Sequence, residues 1–118
     1  MSENVFWVIT MRIKPGELEN FRGVMNDLVD ATRTNESNAI HYEWFISDDE
    51  TQCHIYERYA DSAAVMIHLK NFGHFAERFM AAVEVTGMTV YGNPNDEVIE
   101  AAKGFGAVFM APFGGFAR

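Results

Sequence analysis

Val5 to Ile13 alternates strictly. Val5, Trp7, Ile9, Met11 and Ile13 fall on one face and Phe6, Val8, Thr10 and Arg12 on the other, the two-residue period of a strand. Lys14-Pro15-Gly16 ends it, because proline cannot continue the ladder and glycine permits a turn. From Glu17 to Thr32 the period becomes helical. Leu18, Phe21, Met25, Leu28 and Thr32 form one stripe, widened by Val24 and Ala31. Glu17 and Glu19 sit in the first turn, where the helix dipole favours anions. Asn35 to Asn38 (NESN) reads as a loop.

Ile40 to Ser47 and Gln52 to Tyr59 read as two strands joined at Asp48-Asp49-Glu50-Thr51. A symmetric hairpin sets Tyr42 opposite Glu57, Trp44 opposite Ile55 and Ile46 opposite Cys53. One hairpin face then carries Ile40, Tyr42, Trp44, Ile46, Cys53, Ile55, Glu57 and Tyr59, a core face with a single carboxylate. The reverse carries His41, Glu43, Phe45, His54, Tyr56 and Arg58. Together with Phe6 and Val8 this mixed face suits a subunit interface better than open water.

Asp61 or Ser62 caps a helix running to about Lys70, which Asn71-Phe72-Gly73 interrupts. A further helix is expected from His74 to Ala82, then a strand from Val83 to Tyr91 with Gly87 at a bulge. After the Gly92-Asn93-Pro94 turn, a short helix covers Asn95 to Lys103. In the tail GFGAVFMAPFGGFAR, alternation of Phe105, Ala107, Phe109, Ala111 and Phe113 allows a last strand. So aromatic a tail is expected to pack on the body of the protein or on a partner subunit. The order β-α-β-β-α-β plus an extension predicts an α+β, ferredoxin-like fold: an antiparallel sheet with its helices on one face. The bare face calls for a cover, and a second copy of the chain is the simplest.

A chain of 118 residues holds one domain, and 48% apolar residues supply a core, which excludes a disordered chain. The net charge of −8, with no basic run, argues against nucleic acid and against an anionic membrane surface. Val5 to Ile9 is too short an apolar run for a signal or a membrane span. The lone Cys53 cannot form an internal disulfide, which fits a reducing cytoplasm. Phosphate-loop, CxxC and GxSxG motifs are lacking.

VITMRIKPGELENF, HYEWF and ERYADSAAVMIHL, in this order and spacing, resemble the antibiotic biosynthesis monooxygenase (ABM), or quinol monooxygenase-like, family over roughly Val5 to Phe79. YGNPNDEV and PFGGF are similar to a tail found in some members. The resemblance implies a dimeric α/β barrel, with residues 1–93 as the ABM-like domain and residues 94–118 as a helix and aromatic tail packing on that domain or on the partner. The family is mixed. It contains cofactor-free oxygenases of phenols and quinols, haem-degrading enzymes, and an isomerase of autoinducer-2 breakdown, so fold alone does not choose an activity. Haem breakdown in the family uses a ligating histidine, an asparagine and a tryptophan. This sequence has Arg78, Ile9 and His68 at the corresponding places, so haem breakdown is not expected.

His68 is the candidate catalytic residue. On the stripe Val65, His68, Leu69, Phe72 it reads either as a core histidine or as a general base in an apolar pocket. Glu57, inward and opposite Tyr42, must be paired or protonated; a hydrogen bond to Tyr42 or to a donor on the helices would satisfy it. Tyr42, Trp44, Glu57, Tyr59 and Phe72 are the expected substrate-binding set, core aromatics that also suit a flat ligand. A metal site is not expected. His68 and His74 are six residues apart and lie on different helical faces, His41 and His54 are separated along the hairpin, and His74 falls on a solvated face. The expected activity is a cofactor-free oxidation of a phenolic or quinol-type molecule by O2, in a cytoplasmic homodimer. The alternatives are an isomerase on the same scaffold, for which Arg12 is the one cation near enough to meet a phosphorylated substrate, and a non-catalytic ligand-binding dimer whose pocket is filled by Phe105, Phe109 or Phe113.

Overall fold

The computed structural model describes residues 3–118. Among these, the chain runs β1 (Val5–Ile13), α1 (Leu18–Asn35), β2 (Ala39–Ile46), β3 (Gln52–Tyr59), α2 (Ser62–Phe72), α3 (Ala76–Ala82), β4 (Val83–Gly92), α4 (Asp96–Lys103) and β5 (Val108–Met110). The strands form one sheet in the order β2-β3-β1-β4-β5. The first four pair antiparallel, as the ferredoxin-like topology requires. The short β5 lies parallel to β4, because α4 carries the chain back before it rejoins the sheet. The sheet is therefore mixed rather than wholly antiparallel.

β1 is the centre, and its inward residues Val5, Trp7, Ile9, Met11 and Ile13 are all buried. α1 lays Phe21, Val24, Leu28 and Thr32 on this face, one stripe of an amphipathic helix. It runs three residues past the expected end, taking Asn35 into the helix and leaving Glu36 as its C-cap. α2 begins at Asp61, whose side chain accepts from the Ala64 N–H at 2.9 Å. It continues to Phe72, and the turn through His74 delays α3 to Ala76. α4 is capped by Asn95, which accepts from the Val98 N–H at 3.0 Å.

Two bulges set which side chains reach the core. In β4 the pairing passes from Thr10↔Gly87 to Met11↔Val85, leaving Thr86 as the extra residue beside Gly87. Odd-numbered Val83 and Val85 and even-numbered Met88 and Val90 thereby share the helix-facing side. In β2 the pairing steps from Ala39↔Tyr59 to His41↔Arg58, with Ile40 the extra residue. Ile40 was expected on the core face but is turned outward and is 56% exposed. The rest of the hairpin follows the expected register, Tyr42↔Glu57, Trp44↔Ile55 and Ile46↔Cys53. Ile46, at the hairpin end, shares a shallow hollow with Leu18 and Met25 of α1 and is half-exposed.

The opposite sheet face carries no helix. Phe6 stacks on Tyr91 with ring centroids 5.3 Å apart, Tyr56 lies 6.3 Å from Phe6, and the Arg58 guanidinium sits 4.4 Å over the Phe6 ring. In the tail, Phe105 and Phe109 pack on the body, whereas Phe113 and Phe116 are 107% and 81% exposed. Among the described residues no helix is long and apolar enough to cross a membrane. Leu28, almost wholly buried, joins α1 to the sheet, so Leu28→Ala should cost about 2–5 kcal/mol in urea denaturation.

Candidate functional site

A cavity opens between the sheet and α2–α3. β1 contributes Trp7 and Ile9; the hairpin contributes Tyr42, Ile55 and Glu57. His68, Leu69 and Phe72 come from α2 and Phe79 from α3, while Met88 and Phe105 close the far side. It encloses about 430 Å³ of unfilled space, part of it open to solvent. Only about 40 Å³ of it is free cavity, room for a few waters, so a ring-sized ligand would need the aromatic walls to part.

His68 is 3% exposed and Glu57 5% exposed. Strand alternation brings Glu57 inward, and helical spacing from Val65 aims His68 at the same space. Tyr59 O–H donates to Glu57 Oε1 at 2.6 Å, and His68 Nε2 lies 3.3 Å from the same oxygen. The second contact is longer than a charge-assisted hydrogen bond, which runs about 2.7–2.9 Å. On the other side of the ring, His68 Nδ1 is 2.9 Å from Glu36 Oε1. Asn71 Nδ2 donates to Glu36 Oε2 at 3.3 Å. Glu36, 7% exposed, thus holds one ring nitrogen and leaves Nε2 beside Glu57.

The sequence places Glu36 in a polar loop, outside the candidate set. Four-residue runs of Asn, Glu and Ser ordinarily mark solvated loops, and no register links Glu36 to a helix that begins 26 positions later. The one signal available was the length of the α1 stripe. Thr32 is its last inward position, and the Glu36 N–H bonds to the Thr32 carbonyl at 3.0 Å, which turns the C-cap residue toward α2.

The electrostatics follow from burial. Burial pushes the Glu57 carboxyl up and the Glu36 charge adds to this, while His68, Tyr59 and Trp7 pull it down; the net shift is upward. Burial opposes a charge on His68, but the Glu36 hydrogen bond and the two carboxylates outweigh it, so its pKa is raised. Burial and the same carboxylates raise the Tyr42 and Tyr59 phenols well above the ordinary range, so both remain neutral donors. Burial takes the Cys53 thiol up to about 11, which leaves it a thiol rather than a nucleophile.

Of the expected set, His68, Tyr42, Glu57 and Phe72 line the cavity. Tyr59 stands behind Glu57 as its hydrogen-bond donor, with its ring 5.1 Å from His68. Trp44 is not in the lining; it packs between Phe21 and Phe79. Glu57 takes its hydroxyl partner from Tyr59, its neighbour along the strand, rather than from Tyr42 across the hairpin. Among the described residues no group of three or more His, Cys, Asp or Glu is placed to hold a metal ion. Glu36 and Glu57 approach opposite sides of the imidazole and do not converge. His41 is paired to Glu43 at 2.9 Å on the open face, where His54 also lies exposed. His74 is exposed in the turn before α3. Arg12 pairs with Glu84 on the open face, away from the cavity, and Arg78 with Asp27 at 2.9 Å on the outside of α1.

The sequence profile described as antibiotic biosynthesis monooxygenase matches residues 4–85. The chain belongs to this family. Within this ABM fold, the structure is similar to MupZ from Pseudomonas fluorescens at 18% identity, covering 99% of this chain and 96% of MupZ, with a TM-score of 0.82. That match takes in α4 and the tail. SnoaB, a cofactor-independent oxygenase from Streptomyces nogalater, matches as a point mutant at 14% identity over 75% of this chain and 91% of its own, with a TM-score of 0.65. A conserved protein from Methanosarcina mazei gives 16% identity, 75% and 90% coverage and a TM-score of 0.67. Identities this low establish shared fold alone. No curated protein sequence matches.

The raised pKa values of His68 and Glu57 make a pH prediction for this ABM protein. Each group holds its proton more tightly in the folded state. Its contribution is therefore fully present below its unfolded pKa and is lost as pH rises through the folded value. The melting temperature should fall as pH rises above 4.5 for the Glu57 part and above 6.5 for the His68 part, and Glu57→Gln should flatten the slope that begins at the lower pH. Calorimetry across this range, variant against wild type, checks it; an unchanged slope means that Glu57 carries no such proton.

Proposed function

We propose that the protein is a cofactor-independent monooxygenase acting on a small phenolic or quinol-type ring. The observation that carries the reading is the His68 imidazole in the lining of an aromatic-walled cavity, its Nδ1 held by Glu36 and its Nε2 beside Glu57. Membership of the ABM family and a fold shared with a cofactor-independent oxygenase support it.

Glu36 fixes the tautomer with a proton on Nδ1 and raises the basicity of Nε2, the logic of any base held by a third group. Nε2 takes the substrate hydroxyl proton. The phenolate passes one electron to O2, giving an aryloxyl radical and superoxide, which combine at a ring carbon to form a peroxide. That oxygen takes the proton back from His68. The O–O bond then breaks as the same carbon loses its hydrogen, leaving a quinone carbonyl and one water. Glu36, bonded at Nδ1, stabilises the imidazolium, and Trp7, Tyr42 and Phe72 hold the ring and exclude water. Trp44 and Tyr59 support this wall from behind. The lone buried thiol of Cys53 suits a reducing cytoplasm.

The working unit is a homodimer joined through the bare sheet face. The Tyr56–Phe6–Tyr91 strip with Arg58 is the support for it, since it exposes aromatic rings that a second copy would cover.

A second reading, proton transfer in an isomerase, is favoured by Glu57 beside Nε2, which supplies a second acid-base group. Phe105 from the tail packs in the cavity lining and leaves about 40 Å³ free, which supports as a further reading a ligand-binding or non-catalytic dimer with a largely filled pocket. Oxygen uptake with dihydroxynaphthalenes separates these readings. Wild type should consume one O2 per quinone formed. His68→Ala should lose about 10²- to 10⁴-fold in kcat with native circular dichroism, and Glu36→Gln should lose less and shift the pH profile. Equal rates for wild type and His68→Ala would end the mechanism, and turnover without O2 would establish the isomerase.

A further inference from the structure

Glu36 touches both the interior and the surface. Inward, its carboxylate meets His68 Nδ1 at 2.9 Å and Asn71 Nδ2 at 3.3 Å. Outward, it lines a surface cleft with Thr32, Arg33, Ser37, Ala39 and Tyr42. The cleft has about 270 Å³ free, against about 40 Å³ in the cavity beside His68. The first is room for many waters and the second for a few. A further surface hollow, between the end of α1 and Ala64 and Ile67 of α2, also has Glu36 in its lining. One carboxylate thus joins the solvent-accessible surface to an imidazole that is itself buried.

The other groups around the ring do not make this connection. Tyr42 borders both the cleft and the cavity, but its phenol is bonded to Thr32, and burial with the Glu57 and Glu36 charges keeps its proton in place. It is a fixed and neutral wall. Tyr59 is neutral for the same reasons, and the Asn71 amide does not titrate. Arg33 lines the cleft, pairs with Asp30 at 3.7 Å and stays charged. Glu57 approaches the opposite side of the imidazole and lies in the cavity lining, away from the cleft. Among the described residues, Glu36 is therefore the proton-exchanging group that faces both His68 and the cleft.

Imidazole accepts a proton on one nitrogen and releases one from the other. A proton gained at Nε2 makes an imidazolium, which gives its Nδ1 proton to the Glu36 carboxylate. The carboxylic acid passes it to cleft water and becomes a carboxylate again. His68 is left neutral with its proton on Nε2. The reverse run brings a proton from the cleft to Nδ1 and releases the one on Nε2. Each run moves one proton and restores Glu36. The 2.9 Å contact is within the range for such a transfer.

We propose that Glu36 is the proton port of this site, carrying protons between water in the surface cleft and the buried His68. The proposal rests on reading His68 as the base, and it says where that proton goes. A cavity with about 40 Å³ free holds too little water to serve as a proton reservoir, and the cleft supplies one.

Hydrogen exchange at the His68 ring N–H tests it, read by saturation transfer from water in protein carrying 15N in histidine. His41, His54 and His74 are exposed, so the protected ring signal belongs to His68. In wild type this proton should exchange faster than the surrounding backbone amides of α2, which exchange only when the helix opens. Glu36→Gln keeps an oxygen that accepts from Nδ1 but carries no proton, and should slow ring exchange about 10²-fold. Glu36→Asp, its carboxyl one methylene short of Nδ1, should fall between the two. Ring exchange at the amide rate in wild type would overturn the port, as would an unchanged ring rate in Glu36→Gln, the result expected of a mere anchor. If Glu36→Gln does not fold, Glu36→Asp decides: an unchanged rate there means that protons enter by the cavity mouth. These readouts need no substrate. Absence of O2 uptake with phenols would sink the oxygenase reading and leave the exchange result standing. Unchanged exchange in Glu36→Gln, beside O2 uptake by wild type, would strike the port and leave the oxygenase.

Discussion

A carboxylate on the inward face of a central hairpin has to be matched or it unfolds the protein around it. Glu57 is that carboxylate, and much of the local architecture answers to it. Tyr59 supplies a hydrogen bond from the same strand, and α2 brings His68 to its other side. Bringing an imidazole into an apolar core raises the same difficulty again. Glu36 resolves it by meeting Nδ1 from the C-terminal cap of α1. The result is a chain of polar groups from cap to strand, sealed in hydrophobic surroundings where each electrostatic contact is stronger than in water. Removing any one member would leave another buried and uncompensated.

The fold was largely legible because its periods are clean. Alternation in Val5–Ile13 places β1 at the centre with one face buried, and the symmetric hairpin gives the pairing of Tyr42 with Glu57 that the structure contains. Departures occur where the chain breaks its own count. Ile40 escapes the core because the strand takes in one residue more than its partner, an effect that hydrophobicity cannot signal. The parallel direction of β5 depends on how α4 folds back, which no local pattern encodes.

Half of the candidate site was legible, for a related reason. His68 and Glu57 are polar residues on otherwise apolar stripes, and such interruptions stand out. Glu36 is polar among polar residues, so its burial depends on a helix ending three residues later than expected and then turning under α2. The same limit applies to Trp44 and Tyr59. Strand parity places both on the cavity side of the sheet, but only the packing of Phe21, Phe79 and Glu57 around them decides that they stand behind the cavity wall.

The extra residue at Thr86 has an evolutionary meaning. β4 carries two apolar pairs of opposite parity, Val83 with Val85 and Met88 with Val90, and one odd step brings both to the same side. Met88 is part of the cavity floor. A substitution in this strand changes one side chain, but loss or gain of a single codon reverses the orientation of every residue on one side of the step. Descendants of this gene can therefore retune the floor of the pocket residue by residue, while the length of the strand stays effectively frozen.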